Sequence, residues 1–357
     1  MIYACPFYLD DCDAHHDYFY HDWKKSPVYM WGTRNFANGS VPSMAKSVCA
    51  GSNLFDLYAW RQEQLFKDFP DLAGVYYDCC HCPECNNAEH GCSIKDAFGK
   101  ISTLNTAWKL RGNLIRSLKI HRKYNRTLVL HGHNKFNPIA HGFGDYWWPG
   151  EEYATYQNNM SPVFIYCDMQ DEWLQSSYNS EIRGNGIIIL PQPTRGVQYG
   201  KGVRERIMKD GGWTLATWAH MTPFLLHGTN LCWVHLKDRK IIEKWWKIKS
   251  AIRIGEAEFV GYWFRNVITT NAPRVYASWY KWKESSSAPY KRVIIIGNLN
   301  REKKNFKVTI DREALGIGNR KVAFVDLWNN KPIAEKDFDN MTLDAARFIA
   351  IGVKYLQ

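Results

Sequence analysis

Short, wholly apolar segments alternate with amphipathic helical patterns over the first two thirds of the chain. We predict six strands from these segments, at about residues 2–8, 73–78, 127–132, 163–168, 185–190 and 224–235. The intervening segments place apolar residues at helical spacing, as in LYAWRQEQLFKDF and in the long run from Asp96 to Tyr124. A strand that is apolar throughout is typical of a parallel sheet buried on both faces by helices. The pattern therefore predicts repeated βα units.

The pattern changes near residue 255. The segments FVGYWF, RVYASWYKW, KRVIIIGNLN, FKVTID, KVAFVDLW and RFIAIGV are short and alternating, with turn residues between them. This pattern is typical of an antiparallel β-sandwich. The helical segment RKIIEKWWKIKSAIR marks the junction. We therefore predict an α/β domain in residues 1–254 and a β-sandwich in residues 255–357.

Six βα units are fewer than the eight that close a (β/α)8 barrel of the TIM type. Either the first strands lie upstream of Met1, or the domain is an open doubly wound sheet. We favour the incomplete barrel, because carboxylates follow successive predicted strands. No signal peptide is visible at the N-terminus, and we expect the chain to begin within a longer gene product. A signal peptide upstream of Met1 would make that product secreted or periplasmic.

Aromatic residues indicate the class of partner more clearly than charge does. The net charge is +11, but the basic residues are spread along helices and the C-terminal third, as expected of a solvated face rather than a nucleic-acid site. The sequence contains no run of eighteen apolar residues, so we predict no membrane-spanning helix. Tyr, Trp and Phe make up 15% of the chain, and aromatic rings pack well against sugar rings. The composition favours a glycan partner, and it leaves the oligomeric state open.

Carboxylates follow several predicted strands, where a parallel barrel collects its functional residues. Asp78 ends GVYYD, Asp168 ends FIYCD, and Glu151 and Glu152 lie in FGDYWWPGEEY. Two carboxyl groups flanking a glycosidic bond can act as general acid and as nucleophile or electrostatic stabiliser. We assign the ionised role to Asp78. The acid role falls to Glu151, with Glu152 as its substitute and Asp168 as a competing carboxylate.

Polar and aromatic side chains near the same strand ends are predicted to bind the sugar. They are Asn87, His90, His133, Asp145, Trp147, Trp148 and His227. The two tryptophans are the expected stacking platform. Asn87, His90, His133 and Asp145 are expected to hydrogen-bond to sugar hydroxyls.

Five of the ten cysteines lie in GVYYDCCHCPECNNAEHGC, residues 74–92. Cys82, Cys85, His90 and Cys92 supply the ligand types of a tetrahedral zinc site, although no second C-x2-C knuckle follows. We favour either a disulfide between Cys85 and Cys92 or reduced, partly buried thiols over the zinc site. The three alternatives stay open, and the predicted glycosidase function requires no metal or other cofactor.

Several motifs resemble those of bacterial glycoside hydrolase family 123-like proteins. D-x-x-GVYYD followed by P-x-CNN-x-x-HGC is similar to a barrel strand and loop of that family. FGDYWWPGEEY, YNSEIRGNGIIILPQ, FLLHGTNLCW and AEFVGYWFRN extend the resemblance in order over about residues 1–330. The resemblance implies a glycosidase acting on N-acetylhexosaminides or other glycans. It also implies an incomplete barrel followed by a β-sandwich.

The same resemblance implies a set of pocket residues. They are Asp78, Asn87, His90, Asp145, Glu151 and Arg183. Characterised members of family 123 use an adjacent Asp-Glu pair, with the acetamido group of the substrate as nucleophile. Asp171-Glu172 is a pair of this type, and it stands as a competing catalytic assignment.

Overall fold

A computed structural model describes residues 1–6, 8–10, 19–20, 22, 30–34, 43–80, 85–102, 104–131, 138–150, 160–178, 185–191, 202–233, 235–264 and 266–356. The chain forms two compact units. Unit 1 is Met1–Pro149 with Arg183–Gly186, and unit 2 is Gly150–Ile182 with Ile187–Gln357. Among the described helices, none combines the length and apolar character that crossing a membrane requires. The domain boundary predicted at residue 255 stays a prediction.

Unit 1 is built around a parallel sheet. Its strands are β1 (Ile2–Ala4), β2 (Tyr8–Asp10), β3 (Met30–Arg34), β4 (Ser43–Ser47), β5 (Gly74–Tyr77), β6 (Ile94–Lys95), β7 (Ile101–Ser102), β8 (Thr127–Leu130) and β9 (Tyr146–Trp147). Its α-helices are α1 (Leu54–Asp68), α2 (Leu104–Lys123) and α3 (Pro138–His141). The parallel strands run in the order β1-β5-β8-β9. Strands β2, β4 and β3 form a separate antiparallel sheet, and β6 pairs with β7.

The core of unit 1 lies between this parallel sheet and helices α1 and α2. Phe66, Leu110 and Leu114 of the helices belong to one buried cluster with Leu128 and Leu130 of β8. Complete burial of side chains of this size contributes about 1.5–3 kcal/mol each. The cluster therefore holds the carboxyl ends of β5 and β8 in place.

The sequence patterns predicted five of these twelve elements. The predicted helix LYAWRQEQLFKDF is α1, and the three predicted strands of this unit are β1, β5 and β8. The long helix begins at Leu104, because the residues before it form the hairpin of β6 and β7. Strand β9 lies in a segment read as a loop. Two residues are too short a run to show a period of two.

Unit 2 contains the predicted antiparallel region. Elements from residue 171 onward are α4 (Asp171–Tyr178), β10 (Gly186–Ile189), α5 (Val203–Lys209), α6 (Gly212–Leu226), β11 (Asn230–Leu231), α7 (Arg239–Ala251), β12 (Glu258–Val260), β13 (Ile268–Thr270), β14 (Val275–Lys281), β15 (Arg292–Asn298), β16 (Lys304–Phe306), β17 (Val308–Ile310), β18 (Val322–Asp326), β19 (Lys331–Ile333), β20 (Met341–Leu343) and β21 (Phe348–Tyr355). Short 3-10 helices lie at Ile254–Glu256 and Glu335–Asn340 in this unit, and at Ala88–His90 in unit 1. Strands β10 and β11 are parallel.

An antiparallel sheet of order β12-β14-β15-β21-β18-β19 dominates unit 2. Side chains alternate across a strand. Ile294 and Ile296 of β15 accordingly join the cluster beneath the ladders β13-β17 and β16-β20. Val293 and Ile295 face the opposite way and join the cluster that includes α6. The prediction of antiparallel strands after residue 255 is confirmed.

Two predicted strands of the α/β part are wrong. Residues 163–167 are buried but form turns, and the amide of Asp168 donates to the carbonyl of Phe164 at 2.8 Å. The segment predicted as a strand over 224–235 begins inside α6 and contains only the short β11. Every residue from Ala216 to Leu226 is buried. A helix buried on all sides is apolar without a period, so its pattern resembles that of a buried strand.

The parallel and antiparallel parts of the predicted fold are therefore both present. Closure of the parallel strands into an eight-stranded barrel is not confirmed among the residues that the structure describes.

Candidate functional site

Asp78 directly follows β5, at the carboxyl end of an inner strand of the parallel sheet. Since side chains alternate along a strand, Tyr76 and Asp78 lie on one face and Tyr77 on the other. The Tyr77 hydroxyl accordingly lies 3.2 Å from that of Ser117 on α2. Of the two tyrosines before Asp78, only Tyr76 contacts its carboxylate. The predicted position of Asp78 at a strand end is confirmed.

Donors from three neighbouring strands converge on the Asp78 carboxylate. His131, directly after β8, has its Nδ1 2.7 Å from Oδ1. The hydroxyl of Tyr3 on β1 donates to Oδ2 at 2.5 Å. The Cys79 amide donates to Oδ1 at 2.8 Å, and the Tyr76 hydroxyl lies 3.3 Å from that oxygen. An ionised carboxylate only accepts hydrogen bonds, so the arrangement places a proton on Nδ1 of His131.

These contacts keep Asp78 ionised although its side chain is only 15% exposed. Burial alone raises the pKa of the carboxyl. The hydrogen bonds from His131 and Tyr3 act in the opposite direction and hold that pKa well below its ordinary value. Burial, together with the hydrogen bond to Asp78, raises the pKa of the Tyr3 hydroxyl. The site therefore presents an anion that stays charged in mildly acidic solution.

The backbone next to Asp78 is unusual. Cys79 has φ of 55°, in the left-handed region that residues other than glycine rarely adopt. Such conformations cost on the order of 1 kcal/mol and cluster at functional sites. The turn directs the Cys79 amide at the carboxylate, so the strained residue helps to stabilise the charge.

The lowered pKa of Asp78 makes a pH-dependent contribution to stability. Because the pKa is lower in the folded than in the unfolded protein, the contribution is present above about pH 4 and is lost as the pH falls further. We expect Asp78→Asn to reduce the free energy of unfolding by about 2 kcal/mol at pH 7. The loss should shrink toward pH 3.5. Urea unfolding of the unmodified protein and of Asp78→Asn between pH 3.5 and pH 7 measures this loss. A difference in unfolding free energy that does not change with pH would contradict a lowered pKa of Asp78.

The loop that contains β9 provides one aromatic ring near Asp78 and one in the core. The ring of Trp148 packs edge-on against Tyr76, with centroids 4.7 Å apart. Trp147 is 1% exposed and stacks on His141 at 4.4 Å. Trp147 therefore fills the core and offers no face to a ligand, contrary to the expected platform, because the alternation along β9 turns it inward.

Asp145 holds the sheet together on the approach to β9. Its carboxylate accepts a hydrogen bond from the Leu128 amide at 2.8 Å and pairs with Arg122. The contacts that the structure describes for the Asp145 carboxylate are therefore made to other protein groups. Its predicted contact with a sugar hydroxyl stays a prediction.

Two of the competing carboxylates, Asp168 and Asp171, lie in unit 2 and are bound to arginines. Asp168 pairs with Arg301, whose Nε lies 2.8 Å from Oδ1. Asp171, the first residue of α4, accepts hydrogen bonds from Arg274 at 2.9 Å and from the Tyr276 hydroxyl. Arg274 also donates to the carbonyls of residues 167 and 169. Asp171 thus anchors α4 to the antiparallel sheet.

We expect Asp171→Asn to destabilise the protein without removing turnover. Losing charge-assisted hydrogen bonds at this partly exposed pair should cost about 1–2 kcal/mol. Thermal unfolding and kcat on an aryl glycoside measure the two effects, with exposed Glu172→Gln as the matched control. Loss of turnover in both variants at unchanged stability would instead assign catalysis to the Asp171-Glu172 pair.

His227 is a buried residue after α6, not a strand residue as predicted. Its Nδ1–H donates to the carbonyl of Pro223 at 2.6 Å, and its Nε2 faces the Tyr262 hydroxyl at 3.4 Å. The ring stacks on Trp263. Burial lowers the pKa of His227 to about 4, so the ring is neutral at pH 7.

The loop after β5 brings three cysteines and a histidine together. Cys49, directly after the segment of β4, has its Sγ 3.2 Å from that of Cys92. The Sγ of Cys85 lies 3.6 Å from Nδ1 of His90. Hydrogen bonds with Cys85 and Cys92, together with burial, raise the pKa of the Cys49 thiol. Asn87 contacts His90, with its Nδ2 3.3 Å from Nε2.

Four predicted site residues lie outside the described residues. They are His133, Glu151, Glu152 and Arg183. Gly150, directly before Glu151, has φ of 118°, and a Cβ there would lie 2.8 Å from the carbonyl oxygen of Leu190. The backbones at Gly150 and Leu190 therefore approach each other closely. The roles of the four residues stay predictions.

Sequence reasoning missed three residues that the structure brings to these clusters. His131 was visible as a strand-end residue but was not selected over His133. Tyr3 and Cys49 carry no local signal, because each reaches its partner through pairing between segments distant in sequence.

Comparison with solved structures finds an α-amylase and an isomalto-dextranase among the similar chains. A noncanonic maltogenic α-amylase, AmyB from Thermotoga neapolitana, superposes with a TM-score of 0.52 at 11% identity. The match covers 99% of this chain and 77% of that chain. An isomalto-dextranase from Arthrobacter globiformis T6, in complex with panose, has a TM-score of 0.48 at 13% identity, covering 99% and 58%. At this identity, the likeness to the amylase concerns the fold.

A family match adds a second finding. Residues 242–337 match the family model for the glycoside hydrolase 123 C-terminal domain. This match confirms the resemblance to family 123-like proteins that the motifs indicated. No curated protein matches the chain in a sequence search. Over residues 242–337 the chain is therefore similar to glycoside hydrolase family 123 proteins.

Proposed function

We propose that the protein hydrolyses glycosidic bonds in a glycan, with Asp78 as the ionised catalytic carboxylate. The observation that carries the proposal is the convergence of His131, Tyr3 and the Cys79 amide on Asp78 at the carboxyl end of a parallel strand. Parallel α/β folds place their catalytic residues at such strand ends. The family match in residues 242–337 supports the same class of activity.

The proposed mechanism divides the work between two carboxyl groups. Asp78, kept ionised, attacks the anomeric carbon or stabilises the positive charge that develops there. Glu151 donates a proton to the leaving oxygen, with Glu152 as its substitute and Asp168 as the competing carboxylate. The Tyr3 hydroxyl donates a hydrogen bond to Oδ2 of Asp78. If Oδ2 is the attacking oxygen, this hydroxyl either moves aside or remains a donor to Oδ2 in the transition state.

Substrate binding is proposed to combine one aromatic ring with several polar groups. Trp148 is the proposed platform, because its ring packs against Tyr76 beside Asp78. Asn87, His133, Asp145 and Arg183 are proposed to hydrogen-bond to the sugar. His90 and His227, also expected to do so, are buried and bound to protein groups, so the proposal leaves them out. The family resemblance favours N-acetylhexosaminides among the possible sugars.

A panel of 4-nitrophenyl glycosides, including N-acetylhexosaminides, tests the proposal with the full chain. Release of 4-nitrophenol that depends on Asp78 supports it. Measurable binding of oligosaccharides by calorimetry without hydrolysis of any panel member would contradict it.

Binding of oligosaccharides without hydrolysis would favour a non-catalytic carbohydrate-binding protein. One observation speaks for this alternative: both oxygens of the Asp78 carboxylate are engaged by protein donors. A carboxylate satisfied in this way also serves as a structural anchor.

A further inference from the structure

Four metal-ligating side chains lie together in the interior of unit 1. Cys49, Cys85 and Cys92 are completely buried, and His90 is 8% exposed. Cys85, His90 and Cys92 come from the loop after β5, whereas Cys49 follows β4, 43 residues before Cys92. Burial of four such polar groups in one place requires mutual satisfaction or a ligand.

The distances among three of the donor atoms suit one shared metal ion, and the fourth donor atom, Sγ of Cys92, lies beside that of Cys49. The donor atoms of Cys49, Cys85 and His90 all lie within 4.8 Å of one another. Bond lengths of about 2.3 Å to sulfur and 2.0–2.1 Å to nitrogen imply edges of about 3.6 Å for S–N and about 3.8 Å for S–S pairs. The observed S–N distance from Cys85 to His90 is 3.6 Å, and the Cys49–Cys92 sulfur distance is 3.2 Å. The latter is far longer than a disulfide bond of about 2.05 Å.

The histidine is oriented as a ligand through its Nδ1. Its Nε2 lies 2.6 Å from the carbonyl oxygen of Asp22. A carbonyl oxygen only accepts hydrogen bonds, so Nε2 carries the proton and the lone pair of Nδ1 points toward Cys85. Metal-bound histidines are typically fixed in this way by a hydrogen bond from the other ring nitrogen.

The backbone at Gly51 is shaped around the same sulfurs. The Gly51 amide donates to Sγ of Cys49 at 3.2 Å, which stabilises a thiolate. A Cβ at position 51 would lie 2.4 Å from Sγ of Cys92 and 2.8 Å from the carbonyl oxygen of His90. Only glycine therefore allows the Cys49 segment to approach the loop this closely.

We propose that Cys49, Cys85, His90 and Cys92 bind one structural Zn²⁺ ion. Three thiolates and one imidazole complete a tetrahedral shell, so no position is left for a water or substrate. Soft sulfur ligands with one imidazole favour zinc over magnesium or calcium. Binding releases the three thiol protons to solvent. The ion links the loop that follows Asp78 to the segment after β4.

This ligand set differs from the one that the sequence spacing indicated. The spacing selected Cys82, which lies outside the described residues, where the structure provides Cys49. The difference arises because Cys49 belongs to no C-x2-C motif. The proposed site also departs from the expectation that the protein uses no metal.

Elemental analysis of the purified full chain tests the proposal. We expect roughly one zinc per chain in the native protein. Cys49→Ser and His90→Ala should each lower the zinc content by more than about tenfold. Cys82→Ser should retain it. Cys167→Ser is the matched control, because Cys167 is also fully buried but lies in unit 2 and donates to the carbonyl of Ala219.

A second measurement uses only the native protein, in case the ligand variants fail to fold. Alkylation followed by mass spectrometry should find Cys49, Cys85 and Cys92 protected until a strong chelator is added. Zinc-free native protein, a Cys49–Cys92 disulfide, or zinc lost in Cys82→Ser but kept in Cys49→Ser would each overturn the proposal. None of these readouts depends on glycoside hydrolysis, so they do not share the outcome of the activity test.

Discussion

Replacing Asp78 with asparagine is expected to lower kcat on an aryl glycoside by about 10³-fold or more while the protein stays folded. The carboxylate supplies either the attacking oxygen or the negative charge opposite the oxocarbenium-like centre, and an amide supplies neither. Asparagine keeps the size of the side chain and accepts one of the hydrogen bonds now made to Oδ1. Steady-state kinetics and circular dichroism of the same preparations measure the two expectations.

Asp56→Asn is the matched control for this substitution. Asp56 also lies in unit 1 and pairs with a cation, Arg116, but its side chain is 65% exposed on α1. Its replacement should leave kcat within about twofold, since exposed ion pairs contribute little. Full activity of a folded Asp78→Asn variant would remove Asp78 from the catalytic assignment.

An external nucleophile distinguishes the two roles proposed for Asp78. In Asp78→Ala, azide has room to attack the anomeric carbon while the phenolate leaves, and the product is a glycosyl azide. Recovery of turnover with azide indicates that Asp78 is the nucleophile. Absence of recovery, in a variant that still binds substrate, indicates electrostatic stabilisation.

Glu151→Gln is expected to slow hydrolysis by an amount that depends on the leaving group. A general acid contributes about 10²–10⁴-fold when the leaving oxygen needs a proton. The loss should be large for a disaccharide or a methyl glycoside. It should be small for a 2,4-dinitrophenyl glycoside, because that leaving group departs as a stable anion. A plot of kcat/KM against leaving-group pKa measures the difference.

Glu152→Gln is the control for this second prediction, since it removes an adjacent carboxyl of the same size. If Glu151 is the acid, Glu152→Gln should retain the leaving-group dependence of the unmodified protein. The reverse result would transfer the role to Glu152. Equal losses on all leaving groups in Glu151→Gln would argue against an acid role and favour one in binding.

Strand periodicity predicted the part of the site that lies on one segment. GVYYD reads as a buried strand ending in a carboxylate, and the structure places Asp78 at the carboxyl end of β5. Alternation along the same strand explains why Tyr76 contacts Asp78 while Tyr77 faces α2. These features depend on local geometry, and local geometry is readable from the residues themselves.

Burial in the core explains two features that the sequence did not predict correctly. The last turn of helix α6 is buried on all sides, so residues 224–226 carry no period that would distinguish a helix from a strand. Trp147 was expected on the surface because it lies beside Trp148 in an aromatic motif. Neighbours on a strand face opposite sides, and the inward side of β9 belongs to the core.

The sequence by itself determined where the carboxylate stands, which segments are helices with an exposed face, and where antiparallel strands begin. Only the tertiary structure decided which groups surround that carboxylate and which cysteines meet. Tyr3 reaches Asp78 by pairing between β1 and β5, and Cys49 reaches Cys92 across 43 residues. The reason is physical: periodicity records the environment of each residue along its own segment. Contacts between distant segments depend on strand order and close packing, and no local spacing carries them.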